Sequence, residues 1–338
     1  MSRALRVVHL NDLANTGTVL VGALREAGVE ATLIDPERHG RNLRYPGKLV
    51  ALPLRVRALV AAAVAARRLR PDLVHVHYAR QGWMAAVAGR PYLIHCHGTD
   101  VRGVAPTSAW GRAIAPWMAG ARRVLFATPD LATWVRAFRP DGLFIPNPIV
   151  IHPQLPPDGP MVDLFVGVRF DPVKGSGQVV ETIDRLLQLR PHTSLTLVDQ
   201  GIERERAIRA ISRRATTMTT MDFAPHGSMP GIFARHRMAM GQMAVGALGN
   251  YELEAMAAGL PTAASFRYPE AYDAPPPLIE ADTPNRTAAR LAAMLDDEAA
   301  RRELSLAARS WVAQHHGTAA IARDMYAIYA KVITELRG

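Results

Sequence analysis

The chain has one cysteine, Cys96, among its 338 residues. That excludes an internal disulfide and fits a reducing compartment. Long apolar runs are also missing. The longest, residues 58–66, is far short of the ~20 residues that span a bilayer. The opening, Met1-Ser2-Arg3-Ala4-Leu5-Arg6, leads into a short strand-like run that ends at Asn11 and Asp12, which is not the pattern of a secretory signal. A cytoplasmic location is the resulting expectation. The first strand-to-helix turn lacks the Gly-x-Gly-x-x-Gly fingerprint of dinucleotide enzymes. No repeat of 20–50 residues is found, which excludes solenoids and propellers.

Acidic residues are absent between Glu37 and Asp72, where Arg38, Arg41, Arg44, Lys48, Arg55, Arg57, Arg67, Arg68 and Arg70 all fall. Three readings compete. One is a solvated helix face whose last arginines counter the helix dipole. Another is contact with an anionic membrane surface or an anionic acceptor. Nucleic acid is the weakest, because the basic residues are interleaved chiefly with Ala, Val and Leu and no nucleic-acid-binding motif accompanies them.

What is present is a globular composition, 49% hydrophobic and 21% charged with net charge +10, in a chain long enough for two domains. Short apolar segments alternate with longer amphipathic ones, the mark of βαβ units and parallel sheets. Strands are expected over 5–10, 31–34, 73–77, 92–95, 124–127 and 143–145, with helices over 18–27, 54–69, 111–121 and 130–138. A proline-rich stretch over 151–160 reads as a linker. The alternation then restarts. Strands are expected over 161–166, 194–198, 238–243 and 261–265, helices over 176–189 and 203–213, and a nearly all-helical tail over 285–335. The expected division is an N-terminal Rossmann-like domain over 1–150, the linker, a second Rossmann-like domain over 161–318, and a C-terminal helix over 319–338.

Four stretches carry chemistry. In Glu254-Ala255-Met256-Ala257-Ala258-Gly259-Leu260-Pro261 a carboxylate sits on a small-residue helix that runs into a strand. Such a carboxylate can accept both hydroxyl protons of a ribose. In Gly167-Val168-Arg169-Phe170-Asp171-Pro172-Val173-Lys174-Gly175 a strand ends and two cations precede a helix start. A guanidinium fork, an ammonium and a helix N-terminus together suit a diphosphate. The third is His97-Gly98-Thr99-Asp100, after a strand. The fourth is the polar turn Asn11-Asp12-Leu13-Ala14-Asn15-Thr16-Gly17. His75 and His77 alternate as His95 and His97 do. Strand periodicity alone puts such pairs on one face, and a metal needs convergent ligands, so no metal site is expected.

These stretches resemble the family 4 glycosyltransferases (group 1 type). The C-terminal signature of that family is Glu, seven residues, then Glu-Ala-Met-Ala-x-Gly-x-Pro. The second Glu is Glu254, and the first falls on Gly246. The stretch also resembles a divergent branch with Asp-Gln-Leu-x-x-Gly-x-x-Gly, in which Gln242 and Gly246 match. Two residues along a helix, Glu252 faces away from Glu254 and does not substitute for the missing acid. The resemblance implies an α/β GT-B architecture, two Rossmann-like domains with a cleft between them, the last helix crossing back onto the first domain. It implies a nucleotide diphosphate sugar as donor substrate, with no metal and no other cofactor. The Asp-x-Asp that a GT-A enzyme would place after a strand for Mn²⁺ is not found.

Further implications concern single residues. Arg169 and Lys174 stabilise the leaving diphosphate, and His97 orients the donor sugar. Glu254 holds the ribose, and Gln242, beside Gly246, partly supplies hydrogen bonding to the sugar. Asn15 and Gly17 border the phosphates, and His226 and Gly227 flank the base chiefly through backbone. The implied activity is retaining transfer to an acceptor hydroxyl on a specialised metabolite or a cell-envelope glycan or glycolipid. The basic segment over residues 38–70 then allows peripheral contact with the inner membrane face. Two alternatives stay open: a non-catalytic nucleotide-binding partner protein, and a GT-B nucleotide-sugar epimerase.

Overall fold

The computed structural model describes residues 4–39, 46–222 and 224–338. Arg41 and Arg44 of the basic segment lie outside the described residues. The chain divides into two units: residues 1–148 with 318–338, and residues 149–317.

The first unit runs β1 (Arg6–Leu10), α1 (Thr16–Glu26), β2 (Glu30–Ile34), α2 (Gly47–Val50), α3 (Leu52–Arg68), β3 (Leu73–His77), α4 (Trp83–Ala88), β4 (Tyr92–Cys96), α5 (Ala109–Gly120), β5 (Arg123–Phe126), α6 (Ala132–Arg136) and β6 (Leu143–Phe144). Its six strands pair in parallel in the order β2-β1-β3-β4-β5-β6. The order reverses at β1/β3. Helices cover both faces, so the central strands are buried on both sides and read as near-continuous apolar runs interrupted only by histidine. Val7, Leu73, Leu93 and Leu125 pack on one face with Leu20 and Leu24 of α1. Val8, Leu10, Val74 and Val76 pack on the other with alanines of α3 and with Met84.

The second unit runs β7 (Val162–Val166), α7 (Ser176–Leu189), β8 (Ser194–Val198), α8 (Arg204–Ser212), β9 (Thr217–Met221), α9 (Met229–Ala234), β10 (His236–Met240), α10 (Asn250–Ala257), β11 (Thr262–Ala264), β12 (Ile279–Glu280), α11 (Pro284–Asp296) and α12 (Glu298–His316). Its parallel sheet has the order β12-β11-β10-β7-β8-β9. The first strand of this half is therefore central, and the order reverses at β7/β10. On α7, Val179, Ile183 and Leu186 recur at helical spacing and bury against β7 and β8. Residues 152–160 are exposed and carry no regular structure.

The last helix, α13 (Thr318–Arg337), belongs to the first unit. Ile321, Met325, Tyr329 and Val332 enter the core beside α1. Burying each such side chain is worth ~1.5–3 kcal/mol, so the dock is stabilised by several kcal/mol. Two strands are not anticipated from the sequence. β9 is an edge strand whose three threonines are exposed and whose two methionines are half-buried, and β12 has two residues. The strand expected over 238–243 covers Met238 to Met240 and then gives way to a loop. Among the described residues no helix is long and apolar enough to cross a membrane.

Candidate active site

In doubly wound sheets ligands sit beyond the carboxyl ends of the strands where the order reverses. In the second unit that is the end of β7 and β10. β7 leads to Gly167, whose added Cβ would lie 2.0 Å from the Tyr251 ring. Tyr251 on α10 accepts from the Gly167 N–H at 3.0 Å and donates to the Phe165 carbonyl at 3.0 Å. This hydroxyl fastens α10 to the end of β7, and so fixes Glu254 relative to the cationic loop.

Arg169 follows, its guanidinium paired with Asp171 through Nε at 2.8 Å and through a second, shorter contact from Nη2. Asp171 also accepts from Ile202 N at 2.9 Å. Burial alone would raise the Asp171 pKa. The Ile202 amide, Arg169 and Lys174 together hold it below the usual carboxylate range. Asp171 thus aims Arg169, whose side chain is 63% exposed. The Lys174 ammonium makes no hydrogen bond or ion pair among the described residues. Gly175, at φ +77°, turns the chain into α7. The loop therefore presents two cations and the first amides of a 14-residue helix.

Gln242 departs from expectation. It is fully buried. Its amide nitrogen donates to the carbonyls of Ser265 at 2.7 Å and Ala247 at 3.3 Å, and its oxygen accepts from Val245 N at 2.8 Å and Gly246 N at 3.2 Å. Two donors and two acceptor sites are the full capacity of a side-chain amide. Gln242 is the internal brace of the 241–249 loop, with nothing left for a sugar. Glu252 braces the same loop. Its buried carboxylate accepts from Gln242 N and Gly249 N, both at 2.9 Å.

Gly246 has φ +74°, and an added Cβ would meet the Arg267 side-chain stem at 2.9 Å. Arg267 N donates to the Gly246 carbonyl at 2.9 Å. The chain turns here through a left-handed residue beneath an arginine, a geometry that strains any residue bearing a Cβ.

Glu254 accepts from His226 Nδ1 through Oε1 at 2.7 Å. His226, expected to work through its backbone, engages this carboxylate with its ring. Gly227 is exposed, and a Cβ there would meet nothing within 4 Å.

The first unit holds a feature that pairwise spacing only hinted at. Register places His9 opposite His75 and His77 opposite His95. Because i and i+2 share a face, His9, His75, His77, His95 and His97 form one ladder of imidazoles on the side covered by α13. His9 is the member missed in the sequence. Its place in the ladder depends on which strand lies beside β3.

The rings are hydrogen-bonded in a chain. His75 Nδ1 meets the Tyr329 hydroxyl at 2.6 Å, and that hydroxyl lies 3.3 Å from His9 Nε2. His9 Nδ1 meets His77 Nε2 at 3.0 Å, and His77 Nδ1 meets His97 Nε2 at 3.0 Å. A neutral imidazole has one N–H and one acceptor, so the chain keeps a single polarity from end to end and the tautomer of His97 is tied to that of His9. At the far end His75 Nε2 is buried without a hydrogen-bond partner among the described residues, which leaves no proton exit there.

Burial is the main cause that lowers every pKa in the ladder, to about 3 for His9 and about 4 for His95, and well below the ordinary value for His75 and His77. Of the five, His97 alone is half-buried and not fully buried. Burial, then His95, lowers its pKa, and a hydrogen bond with Asn147 opposes them.

Two trios, His9/His75/His77 and His77/His95/His97, each bring ligand atoms within 4.8 Å of one another. The His75 and His77 rings are stacked, with centroids 4.4 Å apart and planes 11° apart, so their in-plane lone pairs run side by side. His9 and His77 face each other across a hydrogen bond. A shared metal would require these rings to rotate.

Asp100 builds the loop that presents His97. It is buried and accepts from Ala79 N at 2.8 Å, Gly98 N at 2.9 Å and His97 N at 3.2 Å. The turn after β1 is strained: Asn11, Ala14 and Asn15 all have positive φ. Asp12 holds it by accepting from Gly17 N at 2.8 Å. Asn11 donates to the His77 carbonyl at 3.0 Å. Beside this turn, at the β1/β3 reversal, lies a pocket of about 410 Å³ that includes Asn11, Arg38, Arg55, Tyr78 and Gln81 in its lining. Apart from the Asn11 turn, no motif in the sequence marks this pocket.

Residues 16–152 match the model of Glycosyltransferase Family 4. No curated protein sequence matches the chain. Solved structures similar to it include sucrose-phosphate synthase from Thermosynechococcus elongatus, at 19% identity and TM-score 0.71, covering 98% of this chain and 100% of that one. A glycosyltransferase from Rickettsia africae is 13% identical at TM-score 0.70, covering 98% and 99%. Anabaena HepE in complex with UDP and glucose is 14% identical at TM-score 0.67, covering 97% and 100%. Identities this low establish the fold. Residues 16–152 are thus similar to glycosyltransferase family 4, and across nearly its whole length the chain has the GT-B architecture of two Rossmann-like domains.

Proposed function

We propose that the chain transfers a sugar, with retention of configuration, from a nucleoside diphosphate sugar to an acceptor hydroxyl. The observation that carries this reading is the carboxyl edge of β7 and β10. Arg169, aimed by Asp171, the unpaired Lys174 and the start of α7 supply positive charge and donors for a diphosphate. Glu254, tied to the same strand end through Tyr251, supplies the ribose acceptor. Charge that grows on the leaving diphosphate is stabilised by groups already in place. Two protein cations provide what a divalent ion would otherwise offer a diphosphate, so turnover is expected to persist in EDTA.

His97 is read as a positioning group for the donor sugar, since its ring is held neutral and oriented by His77. The pocket at the β1/β3 reversal is read as the acceptor site, its lining including Arg38 and Arg55. HepE has been solved with UDP-glucose, which makes UDP-glucose the first donor to try.

The test is donor turnover, by hydrolysis or transfer, across UDP-, GDP-, ADP- and dTDP-sugars, with the product anomer assigned by NMR. Lys174→Ala is expected to lower turnover by ~10²–10³ without changing the melting temperature. Nucleotide binding with no turnover on any donor would instead identify a binding partner.

A further inference from the structure

The outer face of α3 is built against the usual logic of a surface helix. Leu52, Val56 and Val60 recur every four residues and stay 50%, 49% and 41% exposed. With Val64 they form one stripe that lines a shallow, almost wholly apolar groove flanked by Arg57 and Arg68. On α2, Leu49 and Val50 continue the patch at 54% and 78% exposed. Only the alanine side of the helix, Ala62, Ala63 and Ala66, is buried.

The charge around the stripe has one sign. Arg57, Arg67 and Arg68 are exposed, and their guanidinium groups make no hydrogen bond or ion pair among the described residues. No acidic residue occurs between Glu37 and Asp72. A solvated helix face would carry acids interspersed with these arginines, and a protein-binding groove would carry a polar rim of mixed sign. An apolar stripe flanked by uncompensated arginine is the composition of a helix that lies in a headgroup layer, its aliphatic side in the acyl boundary and its cations at lipid phosphates.

We propose that α2 and α3 dock the protein on an anionic lipid bilayer. The stripe enters the interface and Arg57, Arg67 and Arg68 meet the headgroups. The proposal stands independently of the transferase reading. Where both hold they reinforce each other, because Arg55 and Leu59, one position round the helix from the stripe, line the pocket at the β1/β3 reversal. An acceptor carried in the membrane would then arrive beside its site.

The test is co-sedimentation of the full chain with vesicles of phosphatidylcholine alone and with added phosphatidylglycerol, over a range of salt. Binding is expected only with phosphatidylglycerol and is expected to weaken as salt rises. Arg57→Ser with Arg68→Ser should weaken it on the order of 25-fold, about fivefold per arginine. Val56→Ser with Val60→Ser should weaken it at every salt concentration. Both pairs lie on the exposed face, so their melting temperatures should match the parent and separate loss of docking from loss of fold. Equal affinity for neutral and anionic vesicles, or none for either, would overturn the proposal. So would a concentration-dependent dimer in light scattering that Val56→Ser dissolves, since the stripe would then be covered by a second copy.

Discussion

The imidazole ladder should make the first unit sensitive to acid, and the size of the effect can be worked from the structure. A base whose pKa is depressed by folding binds fewer protons folded than unfolded once the pH falls below its unfolded value of 6.5. Its contribution is therefore intact above about pH 6.5, is lost as pH falls from there, and levels off below the folded pKa. For His9 the window runs from 6.5 down to about 3, and for His95 from 6.5 to about 4. At pH 5 each is ~1.5 pH units below its unfolded pKa, which costs about 2 kcal/mol per residue. Two such residues remove about 4 kcal/mol of the 5–15 kcal/mol typical of a domain. His75, His77 and His97 shift the same way and deepen the loss.

The measurement is the urea midpoint at pH 8, 7, 6 and 5, followed by tryptophan fluorescence. Four of the five tryptophans, Trp83, Trp110, Trp117 and Trp134, lie in the first unit, so the signal reports mainly on it. The midpoint is expected to hold from pH 8 to 7 and to fall steeply by pH 5. His95→Leu separates the ladder from general acid effects. Neither His95 nitrogen has a partner in hydrogen-bonding geometry among the described residues, though the nearby Ile145 backbone favours the charged ring a little. The variant should match the parent within about 1 kcal/mol at pH 8 and exceed it by about 2 kcal/mol at pH 5. A midpoint that is flat from pH 8 to 5, or a His95→Leu protein that gains nothing at pH 5, would refute the claim that these rings are held neutral by burial.

Three other outcomes follow from the second unit. Gly246→Glu, which supplies the acid of the signature this stretch resembles, should lower stability by roughly 1–3 kcal/mol in urea titration because of the left-handed turn under Arg267, and should not tighten donor binding in calorimetry. Glu252→Gln keeps the shape but replaces one acceptor with an NH2 donor that faces a backbone N–H, and should cost about 1–3 kcal/mol by the same titration. Glu254→Ala should weaken a ribonucleotide by about tenfold or more and leave its 2′,3′-dideoxy form unchanged, which erases the preference between them in a competition assay.

Both sheets were legible because a buried parallel strand must be almost wholly apolar, and the helices between them because their apolar residues recur at helical spacing. β9 was not, because an edge strand of three exposed threonines and two half-buried methionines carries no such pattern. The cations of the second unit were legible for a local reason: a strand end, a short loop and a helix start are contiguous in sequence. Asp171, which aims Arg169, stood in the same stretch and could have been found from its spacing to that arginine. The ladder could not be assembled this way. His75 with His77 and His95 with His97 show only that each pair shares a strand face. Whether the two pairs and His9 meet depends on the order β1-β3-β4 and on its register.

Gln242 shows a different limit. A motif match marks it as standing where the sugar is held, yet its amide is saturated by the backbone it braces. The match identifies a loop shape and not a ligand contact. The absence of Glu at position 246 then has a structural cause as well as a chemical one. A loop closed by Gln242 and Glu252 from within turns at a left-handed residue, and only glycine takes that turn without strain. If the donor sugar is held at this edge, its hydroxyls must be met by backbone amides of the loop or by side chains that no family signature marks, with Arg267, which overlies Gly246, the nearest candidate in the second unit.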